Sequence, residues 1–142
     1  MLPADLVSRI ANLGVTVCLQ PSFAVTDAAQ VPVALGADRA ATAYPWACLA
    51  ASRASLLSGT DFPIEVIEPL VGLSRLVNGR SERAGFETGG TAPAQSRLPA
   101  DRAVAISTDP AAGRTYLSAD PVAFPAAELD SIEVRRTEPA PF

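Results

Sequence analysis

The stretch Ser55-Leu56-Leu57-Ser58-Gly59-Thr60-Asp61-Phe62-Pro63-Ile64-Glu65 decides how the chain is read. Residues 55–60 form a short run of strand length. Asp61-Phe62-Pro63 closes it, because proline cannot continue a central ladder. Upstream, Val15-Thr16-Val17-Cys18-Leu19 is a second run, β-branched and largely apolar. It predicts a strand buried on both faces, ended by Gln20-Pro21-Ser22-Phe23. Helical patterns surround the two strands. Residues 4–12 set Leu6, Val7 and Ile10 at helical spacing, continued by Leu13, with Gly14 as the stop. A loop with Thr26, Asp27, Pro32 and Gly36 leads into an alanine-rich helix over residues 38–54, kinked or broken at Pro45. Glu68-Pro69-Leu70 opens a further helix that runs to about Val77 and stops at Asn78-Gly79. Helix, strand, helix, strand, helix is the grammar of an α/β fold with a parallel sheet.

The pattern changes at Arg80. Residues 80–97 are rich in small and polar side chains, include Gly89-Gly90, and predict a mobile loop. A short helix is expected over residues 100–107, a turn of helix near residues 126–129, and an edge strand at Ile132-Glu133-Val134-Arg135-Arg136. The expected organisation is therefore residues 1–79 as the α/β part, 80–97 as loop, and 98–142 as a C-terminal helix and extended tail with an edge strand.

Composition removes whole classes of chemistry. The 142 residues include no histidine and no lysine, so all 11 basic residues are arginine. Ser–His and Cys–His nucleophile systems and Schiff-base lysines are thereby excluded. With 49% hydrophobic residues and a mean hydropathy of +0.23, the chain has enough apolar material for a core. Its length suits one domain. A net charge of −4 and no Arg cluster beyond Arg135-Arg136 argue against a nucleic-acid partner. Apolar runs stop well short of membrane-spanning length, and the N-terminus lacks the features of a secretory signal, so a cytoplasmic protein with no membrane partner is expected. Cys18 and Cys48 have no CxxC spacing and are expected to be buried free thiols.

Asp61 is the most pointed candidate, since functional groups project from the C-terminal ends of parallel strands. Capping the segment that follows explains the same residue without a ligand. The other strand end offers Gln20, Ser22, Thr26 and Asp27, which can hydrogen-bond a substrate or stabilise a turn. Tyr44-Pro45-Trp46 reads as core packing with a kink, and Glu65 and Glu68 as carboxylates complementing a helix N-terminus. Gly89-Gly90 lacks the context of a phosphate loop.

The ordered pieces Leu13-Gly14-Val15-Thr16-Val17, Gln20-Pro21-Ser22, Leu35-Gly36-Ala37-Asp38-Arg39-Ala40, Tyr44-Pro45-Trp46, Gly59-Thr60-Asp61-Phe62-Pro63-Ile64-Glu65 and Glu68-Pro69-Leu70 resemble the C-terminal part of amidohydrolase family 3, a branch of the metal-dependent amidohydrolase superfamily. The likeness covers roughly residues 4–77, with an echo at Asp120-Pro121 and residues 132–137. It implies the last two βα units of a (β/α)8 barrel, with a C-terminal extension contributing to a small β-sandwich. It implies hydrolysis of non-peptide C–N bonds, of amide or N-substituted formamide type, with a divalent metal, zinc first among them. Asp61 then falls on the aspartate ending the eighth strand, which contacts the metal and shuttles the proton of the attacking water. Gln20 and Pro21 fall at the end of the seventh strand, beside the substrate pocket, with Gln20 and Ser22 expected to bind the substrate. Where the family often has histidine two positions after the Gln-Pro proline, this chain has Phe23.

The family's histidine ligands and bridging lysine have no counterpart in this sequence. A complete barrel takes about 250 residues, and one carboxylate does not hold a zinc ion that expects about four ligands. The chain alone is therefore expected to bind no metal and to be inactive, with a missing N-terminal barrel portion as its partner and a small amide-type molecule as the substrate of the whole. Two further readings remain: a non-catalytic remnant or binding module that pairs through an open sheet edge, and a small structural domain with an accidental likeness.

Overall fold

The computed structural model of the protein describes residues 2–83, 85 and 90–141. Helix α1 (Ala4–Leu13) buries Val7 and half-buries Ile10 on one face, and Gly14, at φ 64°, ends it in the left-handed conformation that suits glycine. Strand β1 (Thr16–Leu19) follows. Helix α2 (Pro21–Thr26) then starts at once, where a loop was expected. Pro21 does end the strand, but its fixed φ and missing N–H also suit the first position of a helix. Two short helices, α3 (Val31–Leu35) and α4 (Ala37–Ala40), lead to α5 (Trp46–Ala51). The expected long helix is broken before Pro45, with Tyr44 at φ 50° and its ring edge-on to Trp46.

Strand β2 (Ser55–Ser58) pairs with β1 in parallel, in the register Thr16↔Ser55, Val17↔Leu56, Cys18↔Leu57 and Leu19↔Ser58. Helix α6 (Pro69–Asn78) is capped by Glu68, whose Oε1 accepts the Leu70 N–H at 3.4 Å, and is ended by Gly79 at φ 76°. These elements establish an α/β chain. A 3₁₀ turn (Ala94–Ser96), α7 (Ala100–Ile106), strand β3 (Gly113–Leu117), a second 3₁₀ stretch (Ala126–Ser131) and β4 (Val134–Pro139) complete it. Strands β3 and β4 form an antiparallel pair with an irregularity at Tyr116/Leu117.

Three expectations are corrected. The first concerns β1, which is not buried on both faces. Helices cover the face that carries Leu19 and Leu56, while Thr16, Cys18, Ser55 and Leu57 lie exposed on the other. Alternate residues of a strand point to opposite faces, so a sheet covered on one side buries only half of them. The second concerns the free cysteines, which are exposed rather than buried: Cys18 sits on the bare face of β1, and Cys48 on the outer side of α5.

The third correction concerns residues 80–97. Residues 84 and 86–89, including Gly89 of the expected glycine pair, lie outside the described residues. The stretch from Thr91 onward is packed: Ala92 and Ser96 are buried, the Ala92 N–H donates to the Gly79 carbonyl at 2.7 Å, and Gln95 Nε2 donates to the Ala41 and Ala43 carbonyls at 2.9 Å each. One apolar cluster gathers Leu19, Leu49, Leu56, Leu70, Leu73 and Leu76 with Leu98, Ile106, Leu129 and Ile132. The C-terminal residues thus share the core of the parallel pair. Asp130 fastens them to the end of α6, accepting from Ser74 Oγ (3.2 Å), Ser81 Oγ (2.7 Å) and the Glu82 N–H (2.7 Å).

Candidate functional site

The C-terminal ends of β1 and β2 lie side by side, and the Gly59 N–H donates to the Leu19 carbonyl at 2.8 Å. Gly59 is required by crowding: a Cβ there would stand 2.9 Å from Cys18 Sγ. Beyond this last rung the chain turns. Asp61 is exposed, at φ 57°, in the left-handed region that aspartate tolerates better than most non-glycine residues. Its carbonyl accepts the Ile64 N–H at 2.9 Å, and its carboxylate makes no hydrogen bond or ion pair among the described residues. The side chain that closes this turn belongs to Thr60, whose Oγ1 accepts the Phe62 N–H at 3.3 Å. Phe62, Ile64 and Ile67 are exposed along the same rim.

On the β1 side, Gln20 is half-buried at the start of α2, and its side-chain amide has no partner among the described residues. Ser22 is buried, and its Oγ accepts from Arg75 Nη1 at 2.5 Å. A cavity of about 150 Å3 opens at the two strand ends, lined by Ser22, Ser58, Gly59, Thr60, Ile67, Pro69 and Ser107 among others. Ser22, Gly59 and Thr60 are therefore brought to one place, with Gln20 and Asp61 on the segments that border it.

Residues that the sequence reading passed over tie the two sides together. Arg75, on α6, is only 3% exposed and lies 3.9 Å from Glu65 Oε2. The Thr26 hydroxyl, at the end of α2, donates to Glu65 Oε1 at 2.9 Å. Burial pulls the Arg75 guanidinium down from its ordinary pKa, while Glu65 and Asp130 pull it back up. Glu65 is thus a partner of Arg75 and Thr26, whereas Glu68 caps the helix as its position suggested. One signal was legible in advance: Arg75 falls four residues after Val71 on the apolar face of a helix, where arginine is rare unless paired. Tyr44 donates to Asp27 Oδ2 at 2.8 Å; burial first, and then the bond to Asp27 and its charge, hold the phenol well above its usual pKa.

Among the described residues no three His, Cys, Asp or Glu side chains come together in a way that could hold a metal ion, and Asp61 contributes a single carboxylate. Among the same residues no helix is long and apolar enough to cross a membrane.

Comparison with known proteins gives two likenesses. A model of proteins described as "Amidohydrolase family" matches residues 1–120. A protein of Bacillus subtilis (strain 168), named "Putative amidohydrolase YtcJ", is 30% identical over an alignment that takes in 96% of this chain and 29% of that protein. The chain therefore spans under a third of the length of this curated relative. No solved structure matches.

Proposed function

The chain belongs to the amidohydrolase family, and from that premise we propose that it is the C-terminal portion of a metal-dependent hydrolase acting on non-peptide C–N bonds, of amide or N-substituted formamide type. In this reading β1 and β2 are the last two strands of a (β/α)8 barrel, and β3 and β4 enter a small β-sandwich. Members of the family are generally metal-dependent. We assign zinc as the metal, held chiefly by ligands on an N-terminal barrel portion, with Asp61 as this chain's donor. The isolated chain is then inactive. The substrate is a small amide-type molecule, neither nucleic acid nor membrane is a partner, and the compartment is the cytoplasm, whose reducing character suits the free Cys18 and Cys48.

One observation carries the reading: an unengaged carboxylate at the C-terminal rim of a parallel strand pair, beside a small cavity whose wall includes the hydroxyls of Ser22, Ser58 and Thr60. In the assembled protein such a metal would supply an activated water, and Asp61 would be this chain's carboxylate placed to take up a proton. Gln20 presents an amide able to donate and accept. Ser22, its oxygen already accepting from Arg75, has its hydroxyl hydrogen left to donate to the substrate.

A second reading is favoured by the sheet itself. Among the described residues β1 and β2 pair only with each other, so each has an open edge. The chain would then be a non-catalytic binding module that pairs through that edge. Size-exclusion of the purified chain, followed by amide hydrolysis assays with and without the N-terminal complement, separates the two. The hydrolase reading expects poor solubility alone and hydrolysis only on assembly. The binding-module reading expects a sharp monomer or dimer and no hydrolysis in either case.

A further inference from the structure

We infer that Arg75, Glu65 and Thr26 form a clamp that positions the loop carrying Asp61 against the end of β1. The inference rests on the reading of Asp61 given above. The segment 59–68 between β2 and α6 has no regular secondary structure, and its internal bonds, Ile64 N–H to the Asp61 carbonyl and Phe62 N–H to Thr60 Oγ1, are local. Local bonds shape the turn without fixing where it sits. Among the described residues, the side-chain ties from residues 59–67 to another element run through Glu65. One carboxylate oxygen accepts from Thr26 at 2.9 Å, and the other faces Arg75 Nη1 at 3.9 Å.

Arg75 Nη1 also donates to Ser22 Oγ, so a single guanidinium joins the segment four residues after Asp61 to the residue two positions after Gln20. Arg75 is buried and the Glu65 side chain is 12% exposed, which shields the pair from the solvent screening that weakens surface ion pairs. The loop itself gains no comparable support from packing, because Phe62, Ile64 and Ile67 point to solvent. Arg75, Glu65 and Thr26 touch no reacting group; they are positioning residues.

The test keeps the full chain in solution with an N-terminal solubilising fusion and compares it with Glu65→Gln, Thr26→Val, Arg75→Met and Arg75→Lys in the same fusion, reading amide hydrogen exchange at Gly59 and Ile64 by NMR. Tyr116, in the β3–β4 pair, serves as the internal reference. Glu65→Gln and Arg75→Met should speed exchange at Ile64 at least tenfold with Tyr116 unchanged, Thr26→Val by a smaller factor, and Arg75→Lys should restore most of the protection. In the assembled hydrolase, Glu65→Gln should lower kcat at least tenfold with KM within twofold. Should Arg75→Met fail to fold, Glu65→Gln, isosteric and partly exposed, still decides. Unchanged exchange at Ile64 in Glu65→Gln, or no rescue by lysine, overturns the clamp. Because exchange is read without catalysis, that failure is distinct from failure of the Asp61 reading, which Asp61→Asn tests.

Discussion

Gly59 donates its N–H to the Leu19 carbonyl at 2.8 Å, one step past the last register pair, Leu19 with Ser58. The two parallel strands therefore leave the sheet from a common rung, and the segments with Gln20 and Asp61 begin at the same level. What each segment does next is set by side chains. Gly59 has no room for one, and Glu65 is held from across the strand boundary.

The crowding at Gly59 makes a sharp prediction. A Cβ at this position would lie 2.9 Å from Cys18 Sγ. Gly59→Ala should cost about 1–2 kcal/mol of unfolding free energy. In a Cys18→Ala background most of that cost should vanish, because the two positions are in contact and their effects do not add. Chemical denaturation of the four variants in the cycle measures the coupling; strict additivity would mean the contact is unimportant.

Asp130 predicts a larger loss far from the rim. Three donors converge on its carboxylate, two of them from the buried Ser74 and Ser81. Asp130→Ala leaves the Ser81 hydroxyl and the Glu82 N–H without their acceptor, while Ser74 keeps the Arg80 carbonyl at 3.1 Å, and it should cost about 1–3 kcal/mol. Ser8→Ala, on the exposed side of α1, should stay within about 0.5 kcal/mol of the unchanged chain. Thermal melts compare them, and equal effects at the two sites would refute the hub.

The Tyr44–Asp27 bond predicts alkaline sensitivity. The phenol's pKa is raised in the folded chain, mainly by burial and then by Asp27, so the folded state holds this proton more tightly than the unfolded one. Its contribution is fully present below the unfolded value of about 10 and is lost as pH rises above it. No lysine titrates in that range to obscure the effect. Stability measured by denaturant between pH 8 and 11 should fall at the upper end, and Tyr44→Phe should flatten that fall. An unchanged slope in Tyr44→Phe would contradict the assignment.

Much of the α/β part was legible because local chemistry and tertiary packing agree there. Gly14 and Gly79 end helices in left-handed turns, Glu68-Pro69 opens one, and Pro45 breaks another. Helix α2 was missed because Pro21 ends a strand and starts a helix at once, and α3 repeats the lesson at Pro32. Strand β3 lay hidden in Gly113-Arg114-Thr115-Tyr116-Leu117, whose exposed side chains carry no apolar alternation. The register of β4 moved two residues because Ile132 is spent on the core.

The rim positions of Asp61 and Gln20 followed from strand order alone. The Ser22–Arg75–Glu65–Thr26 network did not, since its members lie up to 53 residues apart and meet only once two βα units stand side by side.

The most direct measurement is the rate of amide hydrolysis by the chain assembled with its N-terminal barrel portion and loaded with zinc, compared between the unchanged protein and Asp61→Asn. Asn keeps the shape and removes the proton acceptor. The account predicts hydrolysis by the unchanged assembly and a loss of at least about a thousandfold in kcat for Asp61→Asn, with expression and melting unaltered. Full activity in Asp61→Asn, or an unchanged assembly that hydrolyses nothing, would contradict it.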